Sequence, residues 1–276
     1  MNMAMMRWKA YLIDLDGTLY HGNRMIDGAD ILIAGLQQAS IPYLFVTNNS
    51  SKTPEEVAGR LSSMGIPAKA DHVCTSAVAA AEYIAQEQPG CRVAYIGEQG
   101  LSSALADAGL RLVEDDPEVV VQGIDLSFTY DKLANAAGWI RNGAKYVLTN
   151  PDLLLPANGG LMPGAGTLSA AIQAATGCKP VVIGKPSGIL MKHAIDRLGF
   201  SPEDVAVVGD NMLTDISAGV QAGCGTILVL TGLTTDANLQ SFIADAGVQP
   251  DLIYRDLHEL RQSITGILLM REYSRI

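Results

Sequence analysis

The chain has few cysteines and no long apolar run, and both shortages restrict what it can be. Its four cysteines stand far apart, without a Cys-x-x-Cys pair: Cys74, Cys91, Cys178 and Cys224. This spacing argues against a structural zinc site or a disulfide framework and predicts small buried residues in a reduced compartment. No apolar run approaches the ~18 residues that a membrane helix needs, and the N-terminus lacks the apolar stretch of a signal peptide. We therefore expect a cytoplasmic protein.

Positive charge is also scarce. There are 19 lysines and arginines against 29 aspartates and glutamates, which gives a formal net charge of −10. Because no basic stripe could neutralise the phosphates of a duplex, nucleic acid is not an expected partner. An acidic chain that handles a phosphorylated small molecule must attract the phosphate locally, through a metal, a lysine or helix N-termini.

What is present is the pattern of an α/β protein. At 276 residues, with 48% hydrophobic content, the chain is long enough for one large α/β domain or two smaller ones. Short β-rich runs alternate with alanine-rich helical stretches, which predicts a parallel sheet with crossover helices. The predicted strands cover residues 11–13, 43–46, 93–97, 119–121, 146–149, 181–186, 205–210 and 226–232. The predicted helices cover residues 27–40, 53–64, 101–108, 130–142, 167–176, 187–198 and 214–222.

Asp14 and Asp16 follow the first predicted strand and are the centre of the predicted site. Side chains two residues apart in an extended chain point to the same side, so both carboxylates would face one spot. Two bare carboxylates about 4 Å apart repel by roughly 4 kcal/mol at an effective dielectric constant near 20. A cation between them, or a proton on one of them, removes this repulsion. Alone, Asp-x-Asp-Gly is equally compatible with an acidic turn after a strand.

Three further predicted strands end in polar residues that could join this site. They end at Thr47-Asn48, at Lys185 and at Asp210, with Asp215 close behind. Open parallel sheets bind ligands at the carboxyl ends of their strands, so the four strand ends predict one site with carboxylates, a hydroxyl, an amide and a cation. Turn chemistry explains Asp and Asn at such positions, but it does not explain a lysine between Val-Val-Ile-Gly and a proline.

These segments resemble a known family. In chain order, four of them resemble the motifs of the haloacid dehalogenase superfamily: Asp14-x-Asp16-Gly17-Thr18, Thr47-Asn48, Gly184-Lys185-Pro186 and Gly209-Asp210-Asn211-x-x-Thr214-Asp215. Four segments resemble its subclass IIA, the NagD-like and p-nitrophenyl phosphatase-like hydrolases: Thr47-Asn48-Asn49-Ser50, Phe128-Thr129-Tyr130, Thr149-Asn150-Pro151-Asp152 and Gly184-Lys185-Pro186. The resemblance covers nearly the whole chain. It implies a Rossmann-like, doubly wound parallel sheet core at residues 1–76 and 180–276, with an α/β cap of the C2 type inserted at residues 77–179.

The resemblance also implies a reaction and a cofactor. The family hydrolyses small phosphomonoesters, such as nucleoside monophosphates, sugar phosphates and p-nitrophenyl phosphate, through an aspartyl-phosphate. Asp14 would be the nucleophile, and Asp16 would protonate the leaving oxygen and then activate water. Mg²⁺ would be held by Asp14, by the main-chain carbonyl of Asp16 and by Asp210. Asp215 would either ligate the metal as well or brace the helix that follows it.

The remaining implied site residues bind phosphate or substrate, and the partner is a small phosphorylated metabolite. These residues are Thr47, Asn48, Lys185, Asn211, Asn150 and Asp152. The segment 149–152 is either the specificity loop of the cap or a plain Asn-Pro turn. Oligomeric state is left open, although a cap surface could support a homodimer.

Three other interpretations use the same residues. A phosphomutase or phosphotransferase of the same fold would return the phosphoryl group to a sugar instead of to water. A signalling receiver also surrounds one phosphorylated aspartate with acidic strand ends, but this chain is much longer, and Asp16 supplies a proton donor that a receiver would not want. A phosphate-binding protein without turnover is disfavoured because the motif set is intact.

Overall fold

The structure is a computed structural model, and it describes residues 8–157 and 160–264. The N-terminal segment, for which the sequence predicts no signal peptide, lies outside these ranges, as do both ends of the predicted core domain.

In chain order the strands are β1 (Ala10–Ile13), β2 (Tyr20–His21), β3 (Arg24–Met25), β4 (Tyr43–Thr47), β5 (Val73–Thr75), β6 (Arg92–Ile96), β7 (Arg111–Leu112), β8 (Val119–Gln122), β9 (Lys145–Leu148), β10 (Leu154–Ala157), β11 (Gly160–Pro163), β12 (Val181–Val182), β13 (Val205–Gly209), β14 (Gly225–Val229) and β15 (Leu252–Tyr254). The α-helices are α1 (Ala29–Gln38), α2 (Pro54–Ser63), α3 (Ser76–Glu87), α4 (Gln99–Asp107), α5 (Tyr130–Arg141), α6 (Ala165–Thr176), α7 (Gly188–Leu198), α8 (Ser217–Ala222) and α9 (Leu239–Ala246), and residues 257–264 are also helical. The described chain divides into two compact units, which comprise residues 8–47, 58–73 and 186–264, and residues 48–57 and 74–185.

The first unit is built on a six-stranded sheet with the order β15-β14-β13-β1-β4-β5. The central strand β1 runs parallel to both of its neighbours, and all four of its residues are buried. Ile13 pairs with Val208 of β13 and with Phe45 of β4. Because these three strands end in register, the residues that follow them reach the same edge of the sheet. This register positions the acidic site.

The second unit has its own parallel sheet with the order β12-β9-β8-β6-β7. Its helices α5 and α6 cover a core of apolar side chains. The antiparallel hairpin of β10 and β11 follows the carboxyl end of β9. In both units, strands of β-branched and aliphatic residues alternate with helices, so the predicted α/β fold class with parallel sheets is confirmed.

Several local predictions need correction. The strand predicted over residues 226–232 ends at Val229, because the chain then turns and its Thr231 hydroxyl donates to the carbonyl of Gly17 at 2.8 Å. The strand predicted over residues 181–186 is only Val181–Val182, and the helix predicted over residues 214–222 begins as a π-helical turn at Met212–Ile216. Cys178 is exposed instead of buried, since it lies in the turn after α6.

Among the described residues, no helix combines the length and the apolar character that crossing a membrane requires.

Candidate active site

The turn after β1 places the two predicted catalytic aspartates. The main chain of Asp14 still continues the sheet, since its N–H donates to Val208 O at 2.9 Å, and the Asp14 side chain is buried. The chain then turns through Gly17, whose φ of +86° lies in the left-handed region that glycine tolerates best. Asp16, between them, is exposed. The pair therefore combines a buried carboxylate with one that solvent and substrate can reach.

Asp14, Asp210 and Asp215 form a compact acidic cluster. Each offers one carboxylate oxygen, and these oxygens lie within 4.8 Å of one another, with all three residues buried. At that separation each pair of charges repels by about 3.5 kcal/mol, taking an effective dielectric constant near 20. Buried like charges persist when a cation or hydrogen-bond donors offset the repulsion. The cluster therefore has the donor set of a metal site.

Hydrogen-bond donors fix the orientation of these carboxylates. The Thr18 hydroxyl lies between two of them, 3.1 Å from Asp14 Oδ2 and 3.2 Å from Asp210 Oδ1. The Leu233 N–H donates to Asp210 Oδ2 at 2.6 Å, and the Asn211 N–H donates to Asp215 Oδ2 at 3.1 Å. These bonds preorganise the cluster, because each carboxylate keeps its position before any ligand arrives.

Close packing around Asp210 requires glycine at two positions. A Cβ atom added at Gly17 or at Gly232 would overlap the Asp210 carboxylate. The Gly232 turn follows β14, and the sequence alone predicted it only as the end of a strand. The structure thus adds Thr18, Gly232 and the Leu233 N–H to the site, and the only sequence signal for them was the Asp-Gly-Thr motif and a glycine after a strand.

The acid-base properties of Asp16 follow from its surroundings. Although the residue is exposed overall, nearby protein atoms partly desolvate its carboxyl group, and this is the largest effect that raises its pKa; the charge of Asp14 is the second. A hydrogen bond from Tyr20 and the charges of Arg60 and His21 oppose the increase. The carboxyl group therefore holds its proton to a higher pH than an ordinary aspartate.

A second group of predicted site residues is joined by hydrogen bonds in the second unit. The side-chain amide of Asn48 pairs with the main chain of Lys185: Oδ1 accepts from the Lys185 N–H at 2.8 Å, and Nδ2 donates to the Lys185 carbonyl at 3.1 Å. Asn48 Nδ2 also donates to Asp152 at 3.2 Å, and the Asn150 amide donates to the Asn48 carbonyl at 2.8 Å. A Cβ atom at Gly184 would lie 2.6 Å from Asn48 Oδ1. Asn48, Asn150, Asp152 and Lys185 are thus brought together.

Two predicted phosphate-binding side chains lie at strand ends of the first unit. Thr47 is the last residue of β4 and is buried. Asn211 follows β13, and its Oδ1 accepts from the Leu213 N–H at 2.9 Å, so it caps the π-helical turn. The phosphate-binding roles of these residues stay predictions.

Comparison with known proteins identifies the family. A haloacid dehalogenase-like hydrolase model matches residues 11–111, and a HAD-hydrolase-like model matches residues 182–260. The acid sugar phosphatase of Staphylococcus saprophyticus is 47% identical over 257 residues, which are 93% of this chain and 98% of that protein. The structure of p-nitrophenyl phosphatase from Archaeoglobus fulgidus is 36% identical with a TM-score of 0.89, over 93% of this chain and 99% of that one. Glycerol phosphate phosphatase from Mycobacterium tuberculosis, in complex with magnesium, is 39% identical with a TM-score of 0.86, over 94% of this chain and 78% of that one.

Relatives of this identity, matched over most of their length, show the family of this chain. The chain is therefore a phosphatase that belongs to the haloacid dehalogenase superfamily, in its NagD-like, p-nitrophenyl phosphatase-like subclass IIA.

Proposed function

We propose that the chain is a magnesium-dependent phosphatase that hydrolyses small phosphomonoesters through an aspartyl-phosphate on Asp14. The observation that carries this proposal is the buried cluster of Asp14, Asp210 and Asp215, with the Asp16 carboxyl group, whose pKa is raised, next to it. We further propose that residues 77–179 are the inserted cap that contacts the leaving group.

The acidic cluster fits magnesium by its chemistry. Mg²⁺ prefers hard oxygen donors and is usually bound by one or two carboxylates together with waters and substrate phosphate. Asp14 and Asp210 would hold it, with Asp215 behind them and the main-chain carbonyl of Asp16 as a further donor. When bound, the cation would offset the carboxylate charges and so reduce their repulsion of an incoming phosphate.

In the first step, an oxygen of Asp14 attacks the phosphorus of the ester. The phosphorus–oxygen bond to the leaving group breaks, and Asp16 gives its proton to that leaving oxygen. The raised pKa of Asp16 suits this role, because the group must be protonated when the ester binds. The products are an aspartyl-phosphate on Asp14, a released alcohol and an ionised Asp16.

In the second step, Asp16 acts in the opposite direction. Its carboxylate takes a proton from a water molecule while the water oxygen attacks the phosphorus. The bond between phosphorus and the Asp14 oxygen breaks, so inorganic phosphate leaves and both aspartates return to their initial states. One residue serves both steps because the first step leaves it in the form that the second step needs.

The phosphoryl oxygens need donors and positive charge. We propose that the Thr47 hydroxyl and the Lys185 ammonium supply them, with Asn48 and Asn211 as further phosphate-binding residues. Asn150 and Asp152 would contact the substrate. The amide of Asn48 is bonded to the main chain of Lys185, which supports a role in holding the lysine at its place.

The substrate class rests on the relatives. Proteins similar to this chain carry the names acid sugar phosphatase, p-nitrophenyl phosphatase and glycerol phosphate phosphatase. These names share a phosphate ester on a small organic group. We therefore propose sugar phosphates and nucleoside monophosphates as substrates, and p-nitrophenyl phosphate as a convenient probe.

The test is phosphate release from a panel of sugar phosphates, nucleoside monophosphates and p-nitrophenyl phosphate, with Mg²⁺ and with EDTA. We expect release with Mg²⁺, loss of release with EDTA, and recovery when Mg²⁺ is restored. Asp14→Asn should abolish turnover, and Asp16→Asn should at most become phosphorylated, which mass spectrometry of the acid-quenched protein would detect.

A matched control is Asp236→Asn, because Asp236 is an exposed carboxylate outside the site. It should retain wild-type rates. Near wild-type turnover in Asp14→Asn would refute the covalent mechanism. Transfer of the phosphoryl group to a sugar, with no inorganic phosphate, would instead show a phosphotransferase.

A further inference from the structure

A short turn carries Asp16, so its side chain needs support to act as an acid at a defined place. Asp16 forms an isolated bridge with Tyr20, and the Gly17 N–H donates to the Tyr20 carbonyl at 2.8 Å. The Tyr20 N–H donates to Leu15 O at 3.2 Å. The main chain of Tyr20 is thus bonded to the same turn that presents Asp16.

The side chain of Tyr20 interacts with the acid. Its ring is buried, with 4% of the residue exposed, and hydrogen bonding by its hydroxyl lowers the pKa of the Asp16 carboxyl group. Burial, and then the charge of Asp16, raise the pKa of Tyr20, so its hydroxyl keeps the proton that it donates. Tyr20 is not part of the acidic cluster and has no step in the proposed reaction.

Arg60 holds the tyrosine ring from outside. Its guanidinium carbon lies 4.7 Å from the centroid of the Tyr20 ring, a cation–π distance. Its Nη2 donates to the Gly22 carbonyl at 2.6 Å and lies 3.4 Å from Asn23 Oδ1, so one side chain of α2 contacts both the ring and the tip of the β2–β3 hairpin. The guanidinium group therefore restricts the movement of the ring.

The other side of this hairpin contacts the turn that follows β14. His21 Nε2 lies 2.8 Å from the carbonyl of Thr231, and the Thr231 hydroxyl donates to the Gly17 carbonyl at 2.8 Å. The turn from Gly17 to the hairpin is thus held at both ends. Such a frame fixes a side chain whose direction would otherwise vary.

We infer that Tyr20 is a positioning residue that aims the Asp16 carboxyl group at the leaving oxygen, and that Arg60 keeps Tyr20 in place. This inference rests on the proposed function, in which Asp16 protonates the leaving group. It predicts that the tyrosine hydroxyl matters only for substrates that need that proton.

Two substrates separate this role from simple packing. An alkyl phosphate such as glucose 6-phosphate leaves as an alcohol and needs a proton during bond cleavage, whereas p-nitrophenolate leaves readily as an anion. The ratio kcat/KM reports the steps up to formation of the aspartyl-phosphate. A misplaced acid should therefore lower kcat/KM for glucose 6-phosphate far more than for p-nitrophenyl phosphate.

The central variant is Tyr20→Phe, which removes the hydroxyl and keeps the ring. We expect kcat/KM for glucose 6-phosphate to fall by about 10-fold or more, and kcat/KM for p-nitrophenyl phosphate to fall by less than about 3-fold. Arg60→Met should also lower both kcat/KM values, by smaller factors and again more for glucose 6-phosphate than for p-nitrophenyl phosphate. Because Arg60 is exposed, this variant tests the inference even if Tyr20→Phe folds poorly.

The matched control is Tyr43→Phe. Tyr43 is buried, and its hydroxyl accepts a bond from Gln37 at 2.8 Å, away from the site. It should leave the preference between the two substrates unchanged. An equal loss on both substrates in Tyr20→Phe and Arg60→Met, or no loss, would overturn the inference and leave Tyr20 as a packing residue.

Asp16→Asn separates failure of this inference from failure of the proposed function. If Asp16→Asn loses activity equally on both substrates, the acid role itself is wrong. If it discriminates between them and Tyr20→Phe does not, only the positioning role is wrong. If both discriminate, adding Tyr20→Phe to Asp16→Asn should cause no further selective loss, because the two residues act as one unit.

Discussion

Replacing Asp215 with asparagine removes one of three buried charges and nearly preserves the shape of the side chain. Asp215 is 1% exposed, and its Oδ2 accepts the Asn211 N–H at 3.1 Å. An asparagine oxygen can still accept this bond. The substitution therefore isolates the charge of Asp215 from its packing, and it asks whether the residue serves the metal or only braces the π-helical turn.

The size of the effect follows from the geometry of the cluster. With oxygens within 4.8 Å, each pair of charges repels by about 3.5 kcal/mol at an effective dielectric constant near 20, and Asp215 takes part in two pairs. Relaxation and counter-ions reduce this repulsion in the metal-free protein, and the weaker bond of a neutral amide costs roughly 1 kcal/mol. We expect a net stabilisation of about 2 kcal/mol in EDTA, which corresponds to a rise in Tm of about 4 °C for a chain of this size.

Magnesium should act in the opposite way on the two proteins. In the wild type, a ligand at 100 times its Kd stabilises the folded state by about 2.7 kcal/mol. The variant has lost a negative charge at the site, so Mg²⁺ should raise its Tm by less than half as much. The assay is thermal unfolding followed by circular dichroism, in EDTA and in Mg²⁺, with Asp236→Asn as the control.

Two results would refute this reasoning. If Mg²⁺ raises the Tm of Asp215→Asn as much as that of the wild type, the charge does not contribute to metal binding. If the variant is less stable than the wild type in EDTA, the repulsion between the carboxylates is not the main effect of the charge, and Asp215 mainly braces the turn through its bond to Asn211.

Three further predictions concern other positions. Gly232→Ala should raise the Mg²⁺ concentration needed for half-maximal activity by about 10-fold, because the added Cβ would displace the Asp210 carboxylate. Gly59→Ala is the control, since a Cβ there meets nothing within 4 Å, and it should leave this concentration unchanged. Titration of activity with Mg²⁺ measures both. Ellman's reagent should modify Cys178 rapidly in the folded protein and the three buried thiols only after denaturation. Burial raises the pKa of the Cys224 thiol from 9.0 to about 12. Above pH 9 the thiol therefore ionises more readily in the unfolded chain than in the folded protein, and the free energy of unfolding falls as the pH rises. Between pH 9 and 11, the free energy of unfolding of Cys224→Val should fall by about 2 kcal/mol less than that of the wild type, as measured by urea unfolding.

Much of the site could be predicted from local sequence. Asp14 and Asp16 follow a strand whose four residues are all buried, and Asp210 follows another. A buried aliphatic strand and the polar residues at its end are neighbours in the chain, so the pattern needs no knowledge of the rest of the fold. Parallel register brings the ends of β1, β4 and β13 to one edge of the six-stranded sheet, whereas Lys185 follows β12 in the sheet of the second unit, which the local pattern did not reveal.

The supporting contacts could not be predicted in this way. Thr231 and Gly17 are 214 residues apart, yet their hydrogen bond shapes the turn that carries Asp16. The family resemblance implies that Asn48 binds phosphate, which stays a prediction, but it does not reveal that the Asn48 amide pairs with the main chain of Lys185, 137 residues away. A short polar side chain has many possible partners, and tertiary packing selects among them.

The fold class, the acidic strand ends and the family resemblance follow from the local sequence, because they depend on the alternation of strands and helices and on the residues adjacent to them. Tertiary packing determines which carboxylate oxygens lie within 4.8 Å of one another, that Thr18 lies between two carboxylates, and that Asp16 bridges to Tyr20. Hydrogen bonds and charge interactions act over a few ångströms, so they depend on how distant segments pack and not on their order in the chain.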